Sequence, residues 1–403
     1  IIYWNTACLI TDTGGAEEIE GTKGADYNKL ARGLSKIINE NIKISLPDIN
    51  KSSYTFKPDV ENNQILFGLR GMLNVGDALV NDIIKNRPYS SPKDFLLRIK
   101  PNRQSMVSLI KAGAFDNMID RKICMGWYIW ETCDKKKRIT LQNVPGLIKN
   151  NLLPEHTEEQ RTARRVYEFN RYLKSVCKSN ENYVLTDRAI SFMTEMSYDN
   201  LFQYKDNNIF ISQREWDKKY QTWMNVFRKW IAENHNEILS NLNKSIFKAD
   251  WEKYALGNLS SWEMEALSFY YHDHELAHVN NERYGFVEFG ELPEEPIIDR
   301  TFKRGDKIIN LFKLFRICGT CIAKNKTRHI VTLLTTSGVV DVKLNKDHFA
   351  YFDKRISVRG DDGVKHTVEP SWFNRGNMLV VQGIRSGDMF MAKRYASSRF
   401  HQL

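Results

Sequence analysis

The sequence predicts a multidomain α+β protein, with a mostly helical N-terminal two-thirds followed by a small β-barrel. Up to about residue 288, large apolar residues recur every three or four positions, which is the spacing of amphipathic helices. Beyond Phe302 they recur every second position, which is typical of strands with one buried face. A chain of 403 residues is long enough for two or three domains with cores of their own.

The composition is that of a soluble globular protein, with 42% hydrophobic and 27% charged residues. No apolar run approaches the roughly 20 residues that span a bilayer, so no membrane partner is expected. The formal net charge of +10 favours a polyanionic partner. Six scattered cysteines suit reduced thiols, which predicts a cytoplasmic location.

A glycine-containing turn between two short amphipathic runs occurs twice in residues 65–116. The first turn is Leu73-Asn74-Val75-Gly76, and apolar residues at helical spacing lie before and after it. The second is Ala112-Gly113-Ala114-Phe115, which lies between a helical run and the basic pair Arg121-Lys122. The pattern predicts a domain of tandem helix-hairpin-helix units over residues 61–122.

The helix after such a turn points backbone N–H groups outward, and a phosphate oxygen is a natural ligand for a helix N-terminus. Two units back to back would grip both backbones of a DNA duplex across its minor groove. The alternative is a helical hairpin whose glycines only cap helices. The glycines and cations predicted to contact the duplex backbone are Gly71, Gly76, Lys85, Arg87, Arg103, Lys111, Gly113, Arg121 and Lys122.

The regions on either side of the hairpins also read as mostly helical. Residues 1–60 contain a helix at 27–40, and residues 123–288 are rich in tryptophan. Within 216–239 the large side chains recur at three and four positions, which favours a buried helical face over a platform for base stacking. The acidic, proline-containing stretch 288–299 is typical of a linker.

The C-terminal residues 300–403 have the element order of an OB-fold. Three strands at 312–323, 329–335 and 339–344 precede a short helix at 347–353, and two more strands follow at 378–384 and 389–395. The connection between about 353 and 376 would be an excursion from this barrel.

The loop after the first barrel strand is basic and follows aromatic residues of that strand. Such a loop commonly holds single-stranded nucleic acid on an OB-fold, so Lys324, Lys326 and Arg328 are predicted to contact single-stranded DNA. The alternative is a solvated turn on a barrel with a purely structural role.

The sequence offers little support for catalysis or a metal site within this chain. His274-Glu275-Leu276-Ala277-His278 matches the H-E-x-x-H pattern of zinc hydrolases, but a short pattern also arises by chance. Cys318 and Cys321 form a C-x-x-C without a second pair, inside a strand-like run. Asp361-Asp362 is the one adjacent aspartate pair, and it lies between glycines rather than in a strand. No catalytic or metal-binding residue is predicted.

Four segments carry a resemblance to a known family. Tyr3-Trp4-Asn5-Thr6-Ala7 is similar to the end of that family's fingers region, and residues 46–52 resemble its P-D-I-N-x-S motif. Residues 65–116 resemble its G-h-x-x-h-x-x-V-G and L-I-x-x-G-A-F-D hairpins, and residues 263–276 resemble its E-x-E-x-L-G-F-Y-x-S-x-H-P-L motif. The family is the bacterial-type (family C) replicative DNA polymerase, the polymerase III alpha subunit.

The resemblance has gaps. The last motif has Ser268, His272 and Glu275 in place of its glycine, serine and proline, and it makes the H-E-x-x-H pattern a coincidence. Residues 124–262 have no clear counterpart in the family. This divergence suggests a phage or mobile-element version of the polymerase.

The resemblance implies a polymerase whose palm, with its catalytic aspartates and Mg²⁺, lies upstream of residue 1 in the same or a separate chain. No cofactor is then expected in the present chain, and residues 1–60 would be the end of the fingers region. The hairpins would hold template-primer duplex and the barrel would contact single-stranded template. The alternative is a non-catalytic scaffold or adaptor subunit that binds DNA in a replication complex.

The family also implies a sliding clamp as a partner, bound through a short peptide resembling Q-x-x-[LM]-F between the hairpins and the barrel. Residues 198–202 lie in a suitable interval but lack the glutamine, and residues 206–210 are a weaker rival. The predicted clamp contacts are Tyr198, Leu201 and Phe202.

Overall fold

A computed structural model of the chain describes two compact units. The described residues are 1–13, 26–140, 142–154, 156–205, 208–279, 281–304, 307–359, 365–393 and 401–402. One unit combines residues 1–128 with residues 254–403, and the other consists of residues 129–253. The predicted pair Asp361-Asp362 and the first two residues of the rival clamp peptide lie outside the described residues.

Helices dominate the first two-thirds of the chain, as predicted. The α-helices of the described residues, including two short ones in the last third, are α1 Ile2–Asp12, α2 Tyr27–Asn39, α3 Asp77–Lys85, α4 Pro92–Ile99, α5 Arg103–Lys111, α6 Arg121–Thr132, α7 Val144–Lys149, α8 Glu158–Tyr172, α9 Asp187–Glu195, α10 Gln213–Glu233, α11 His235–Tyr254, α12 Leu259–Leu267, α13 Asn281–Tyr284 and α14 Lys346–Phe352. Among the described residues, no helix is both long enough and apolar enough to cross a membrane.

Strands occur in both halves of the chain. They are β1 Lys43–Ile44, β2 Lys57–Asp59, β3 Gln64–Leu66, β4 Lys178–Ser179, β5 Asn182–Val184, β6 Gln203–Lys205, β7 Asn208–Ser212, β8 Ile298–Arg304, β9 Lys307–Phe312, β10 Phe315–Asn325, β11 Ile330–Thr335, β12 Gly338–Lys343, β13 Ile356–Arg359, β14 Lys365–Glu369, β15 Met378–Ser386, β16 Met389–Ala392 and β17 His401–Gln402.

The chain before the first hairpin turn differs from the predicted helix. β3 is the central strand of a small sheet, parallel to β1 and antiparallel to β2, and its Ile65 is fully buried. Leu69–Gly71 then forms a single 3₁₀ turn before the chain reaches the hairpin. The backbone N–H and C=O groups of β3 form hydrogen bonds with strands on both sides, which favours a strand here over a helix. The spacing of apolar residues along the sequence did not reveal these strand partners.

The C-terminal region is a closed five-stranded barrel with the strand order of an OB-fold. The strands follow the order β10-β11-β12-β16-β15, and β15 pairs back to β10 to close the barrel. β12 and β16 are parallel, and the other neighbours are antiparallel. α14 lies between the third and fourth strands in the sequence, and its Phe349 packs into the barrel core. The predicted fold class is confirmed.

Two antiparallel ribbons accompany the barrel and were not predicted. β8 pairs with β9 immediately before the barrel, so the predicted linker ends where β8 begins at Ile298. β13 pairs with β14 inside the predicted excursion at 353–376.

The unit of residues 129–253 packs helices against a four-stranded sheet of order β4-β5-β7-β6. Trp216, Phe227 and Trp230 of α10 are buried in its core clusters, which confirms the predicted helical core face. Its sheet was not anticipated, because the strands are only two to five residues long.

Candidate nucleic-acid interface

The first hairpin turn is hydrogen-bonded to two helices on one side and exposed to solvent on the other. Asn74 has a left-handed backbone, with a φ of 61°. Its carbonyl accepts a hydrogen bond from Ser105 Oγ at 2.6 Å, and its Nδ2 donates to Ser108 Oγ at 3.0 Å. The backbone N–H of Leu73 donates to the Ala266 carbonyl at 2.9 Å. α5 and α12 therefore fix the turn while Asn74 and Gly76 remain exposed.

The N-terminus of α3 is open to an anion. Its N-cap is Gly76, no side chain caps it, and Asp77 and Ala78 are exposed. Apart from Gly76 itself and the residues next to it in the chain, no described residue has an atom within 4 Å of the position that a Cβ on Gly76 would take. The first N–H groups of a helix have no partner within the helix, and the helix dipole makes this end positive. The geometry suits a phosphate oxygen.

One acidic residue stands at this helix end, and its charge is balanced. The Asp77 carboxylate forms an ion pair with Arg70 and accepts a hydrogen bond from the Tyr54 hydroxyl at 2.6 Å. A carboxylate turned towards an arginine repels an incoming phosphate much less than an isolated one would.

The second hairpin is closed around a buried arginine. The Arg121 side chain is 3% exposed, and its Nη1 donates to Glu263 Oε1 at 2.9 Å. Nη2 pairs with Asp116 at 2.6 Å, and Nη1 also donates to the Lys111 carbonyl at 3.1 Å. Burial alone would lower the pKa of the Arg121 guanidinium, but Asp116 and Glu263 outweigh it and raise that pKa. The Arg121 side chain thus stabilises the fold through contacts within the chain.

Glu263 is fully buried and joins the hairpin to the chain after α12. Its Oε2 accepts hydrogen bonds from the backbone N–H groups of Tyr271 and His272, each at 3.0 Å. Two residues further on, Glu265 pairs with the buried Lys111. Both acidic residues of the E-x-E motif thus bind basic residues of the second hairpin.

The turn glycine and the next helix N-terminus of the second hairpin are also already occupied. Gly113 has a φ of +82°, and a Cβ there would lie 2.4 Å from Arg121 Nη2. At the start of α6, Asp120 caps the helix, because its carboxylate accepts the backbone N–H of Ile123 at 3.0 Å. This helix N-terminus therefore already holds an anion.

The other predicted duplex contacts have different environments. Lys85 and Lys122 are exposed and form no ion pair with the described residues. Arg87 is half-buried and donates to the carbonyls of Ile49 and Ser52 at 2.7 and 2.6 Å. The Arg103 guanidinium lies 4.4 Å from the centre of the Tyr254 ring. A Cβ on Gly71 would lie 2.9 Å from the Phe67 ring, so this glycine serves aromatic packing.

The basic loop of the barrel is partly neutralised. Lys324 and Lys326 both pair with Asp353, which also accepts a hydrogen bond from Ser371 at 2.8 Å. Lys326 is nonetheless 72% exposed, and Arg328 is exposed as well. Lys326 and Arg328 are thus the predicted barrel cations that a strand of DNA could reach most easily.

The predicted clamp residues take part in the packing of residues 129–253. Tyr198, Leu201 and Phe202 are partly buried against the core that contains Trp216. The Tyr198 hydroxyl accepts a hydrogen bond from Trp223 Nε1 at 2.8 Å. A clamp contact at this segment stays a prediction.

The zinc interpretation has no structural support among the described residues. The H-E-x-x-H segment forms turns rather than a helix, and His274 Nε2 lies 3.2 Å from the Leu334 carbonyl. The described residues contain no group of three or more His, Cys, Asp or Glu that could hold a metal ion. Burial raises the pKa of Cys321 to about 12 and that of Cys318 to about 11, so both thiols stay protonated near neutrality.

Comparison with known proteins finds DNA polymerases among the relatives of this chain. A family model described as a helix-hairpin-helix motif matches residues 41–123. The chain is 36% identical over 416 residues to "Probable DNA polymerase YorL" of Bacillus subtilis and equally to a DNA-directed DNA polymerase of Bacillus phage SPbeta. Each alignment covers 99% of this chain and 32% of the relative, so the chain spans about a third of their length.

A shorter alignment reaches the polymerase III alpha subunit. The chain is 37% identical over 112 residues to that subunit of Thermus aquaticus, covering 26% of this chain and 8% of the relative. The phage relative agrees with the predicted phage or mobile-element character. The resemblance seen in the sequence motifs is thereby confirmed: over almost its whole length the chain is similar to phage-type DNA polymerases, and over a shorter stretch to the polymerase III alpha subunit.

Proposed function

We propose that this chain holds DNA for a family C DNA polymerase, with template-primer duplex bound at the first hairpin. The observation that carries the proposal is the exposed N-terminus of α3, which has no side-chain cap and open space beside Gly76. The helix-hairpin-helix match and the polymerase names of the relatives support the same role.

At this site a phosphate oxygen accepts hydrogen bonds from the backbone N–H groups at the start of α3. Contacts of this kind fix the position of a protein on a duplex without reading its sequence. The exposed Lys85 and Lys122 add long-range attraction for the DNA backbone. Such binding suits a polymerase, which has to move along any sequence.

The barrel is proposed to contact the single-stranded template through Lys326 and Arg328. Loops of OB-folds commonly bind oligonucleotides, and Arg328 follows the first barrel strand at the position of such a loop. A sliding clamp remains a further proposed partner, at Tyr198, Leu201 and Phe202.

The catalytic palm, with its carboxylates and Mg²⁺, is proposed to lie in the part of the polymerase that these residues do not include. The relatives are about three times as long as the region they share with this chain, which leaves ample length for a palm. The present chain would then supply affinity for DNA rather than the chemical step.

Fluorescence anisotropy with a labelled primer-template duplex, at several salt concentrations, tests the duplex site. Each cation that neutralises a phosphate contributes about 0.9 to the slope of log affinity against log salt. The double variant Lys85→Ala/Lys122→Ala should therefore lower the slope by up to about 1.8.

The matched control is Lys229→Ala/Lys248→Ala, which removes two lysines of residues 129–253 that are each 78% exposed. It should leave the slope close to that of the wild type. Equal slopes for all three proteins, or no duplex binding by the wild type, would refute the proposed duplex site.

A further inference from the structure

The β8–β9 ribbon presents apolar and basic side chains to solvent together. Phe302 is 44% exposed, Ile308 is 65% exposed, and the Arg300 side chain is 81% exposed. An isolated two-stranded ribbon is only marginally stable in water and usually needs a partner for its apolar residues. A ligand that contacts both the apolar and the basic side chains would therefore stabilise the ribbon.

The strand register places aromatic and basic groups side by side. Phe302 lies opposite Ile309 and Arg300 lies opposite Leu311, so these four side chains share one face. On the other face, Thr301 Oγ1 donates to Asn310 Oδ1 at 3.0 Å, and Lys303 lies opposite Ile308. Each face thus combines a cation with an apolar side chain.

The charge of the ribbon favours a polyanion. Residues 298–313 contain five basic and two acidic residues. The second ribbon of the barrel provides an internal comparison, because residues 354–369 contain four basic and three acidic residues. Val358 and Val368 of the second ribbon are equally exposed, so charge distinguishes the two ribbons more than apolar exposure does.

The base of the β8–β9 ribbon adjoins the loop between the fourth and fifth barrel strands. The backbone N–H of Gly387 in that loop donates to the Glu294 carbonyl at 3.1 Å, four residues before the ribbon. Phe312, at the end of β9, also contacts the barrel, because its ring centre lies 4.9 Å from the ammonium of Lys393, which follows the fifth barrel strand. This loop is one of the two that bind oligonucleotides on OB-folds.

We propose that the β8–β9 ribbon is a binding element for single-stranded DNA, with an unpaired base stacked on Phe302, one phosphate near Arg300 on the same face, and another near Lys303 where the strand passes over the edge of the ribbon. An exposed aromatic ring in a basic environment is the usual platform for a single strand. A duplex offers no free base face to such a ring, which favours the single strand. The inference rests on the proposed contact between the barrel and template, and it extends that contact beyond the barrel.

Anisotropy with a fluorescein-labelled oligothymidylate and the 403-residue chain tests the ribbon. Phe302→Ala should weaken binding by about fivefold or more, whereas Phe302→Trp should retain it. Arg300→Ala/Lys303→Ala should lower the salt slope by up to about 1.4, because each phosphate contact on a single strand contributes about 0.7. Circular dichroism of each variant checks that the fold is intact.

The second ribbon supplies matched controls. Val368→Ala removes an exposed apolar side chain, and Arg355→Ala/Lys365→Ala removes two exposed cations, at the second ribbon, and both variants should leave binding of the oligothymidylate unchanged. The same variants are measured on a blunt-ended duplex without a single-stranded overhang, to which binding should not change.

The possible failures are distinguishable. If the wild type binds the oligothymidylate and the Phe302 and Arg300/Lys303 variants bind it equally well, the ribbon proposal is overturned and the barrel contact survives. Equal weakening on duplex and single strand also overturns it, because the ribbon would then be a duplex contact. If the wild type does not bind the oligothymidylate, both the ribbon proposal and the proposed barrel contact fail.

Discussion

The two hairpins share one sequence pattern and put it to opposite uses. The first has an exposed turn and an uncapped helix N-terminus at Gly76. The second surrounds Arg121, whose guanidinium is shared by Asp116 and Glu263, and its following helix is capped by Asp120. One hairpin is available to a ligand, and the other holds the region together.

The glycines show the same difference. Gly76 has an extended backbone, with a φ of −85°, and keeps space open outside the protein. Gly113 has a positive φ and makes room for the Arg121 guanidinium inside it. A glycine in a hairpin turn therefore does not by itself identify a phosphate site. What distinguishes a phosphate site from a packing site is whether the space beside the glycine is open or is filled by other side chains.

The largest expected effect comes from Arg121→Ala. Removing the guanidinium from a buried ion pair leaves the fully buried Glu263 with the His272 ring, 2.6 Å from its Oε1, as its remaining side-chain partner. Breaking a buried pair in this way costs about 3–5 kcal/mol of unfolding free energy. Urea unfolding followed by circular dichroism should show a transition at clearly lower urea than in the wild type.

The exposed neighbour of this arginine is the control. Lys122→Ala should change the unfolding free energy by less than about 0.5 kcal/mol, as surface substitutions usually do. If Arg121→Ala were as stable as the wild type but bound duplex poorly, Arg121 would be a DNA contact and the two hairpins would be alike.

The second largest effect should separate the two glycines. Gly113→Ala forces a left-handed backbone on alanine, at about 1–3 kcal/mol, and its Cβ also overlaps Arg121. Gly76→Ala meets open space and should lose less than about 1 kcal/mol, the order of an N-cap preference.

Duplex affinity should follow the reverse order. The methyl group of Gly76→Ala stands where the phosphate approaches, so affinity should fall about tenfold, the value of one hydrogen bond to a charged group. Folded Gly113→Ala should bind like the wild type. Thermal unfolding and anisotropy on both variants measure the two effects, and a stable Gly113→Ala with weak binding would reverse the assignment.

Much of the fold follows from sequence pattern. The barrel was predicted because its strands alternate regularly and a short helix separates the third from the fourth. The helix before Gly76 was wrong, because Ile65 and Leu66 belong to a strand that pairs on both sides. The β8–β9 ribbon was missed, because the predicted linker at 288–299 included its first two residues and the first predicted strand began only at 312.

The environment of each cation was less predictable. Arg121 and Lys122 are adjacent in the sequence, yet one is buried and the other exposed. The difference depends on Glu263, which is 142 positions away from Arg121. Local spacing does not determine such a long-range pairing. The E-x-E motif did carry a signal, because two acidic residues that lie in an apolar helix need cationic partners.

The smallest expected effect comes from Asp120→Asn, which makes the second hairpin more like the first. Asparagine caps a helix about as well as aspartate, so the fold should be retained while one negative charge leaves the start of α6. A charge at a helix end is worth about 0.3–1 kcal/mol, so duplex affinity should rise about two- to fivefold at low salt.

The matched control is Asp187→Asn, which removes a first-turn carboxylate from α9 in residues 129–253. A rise with Asp120→Asn alone would place the start of α6 beside the DNA backbone, where the negative charge of Asp120 weakens binding. An equal rise in both variants would reflect net charge, and the duplex would then lie on the first hairpin without approaching the second.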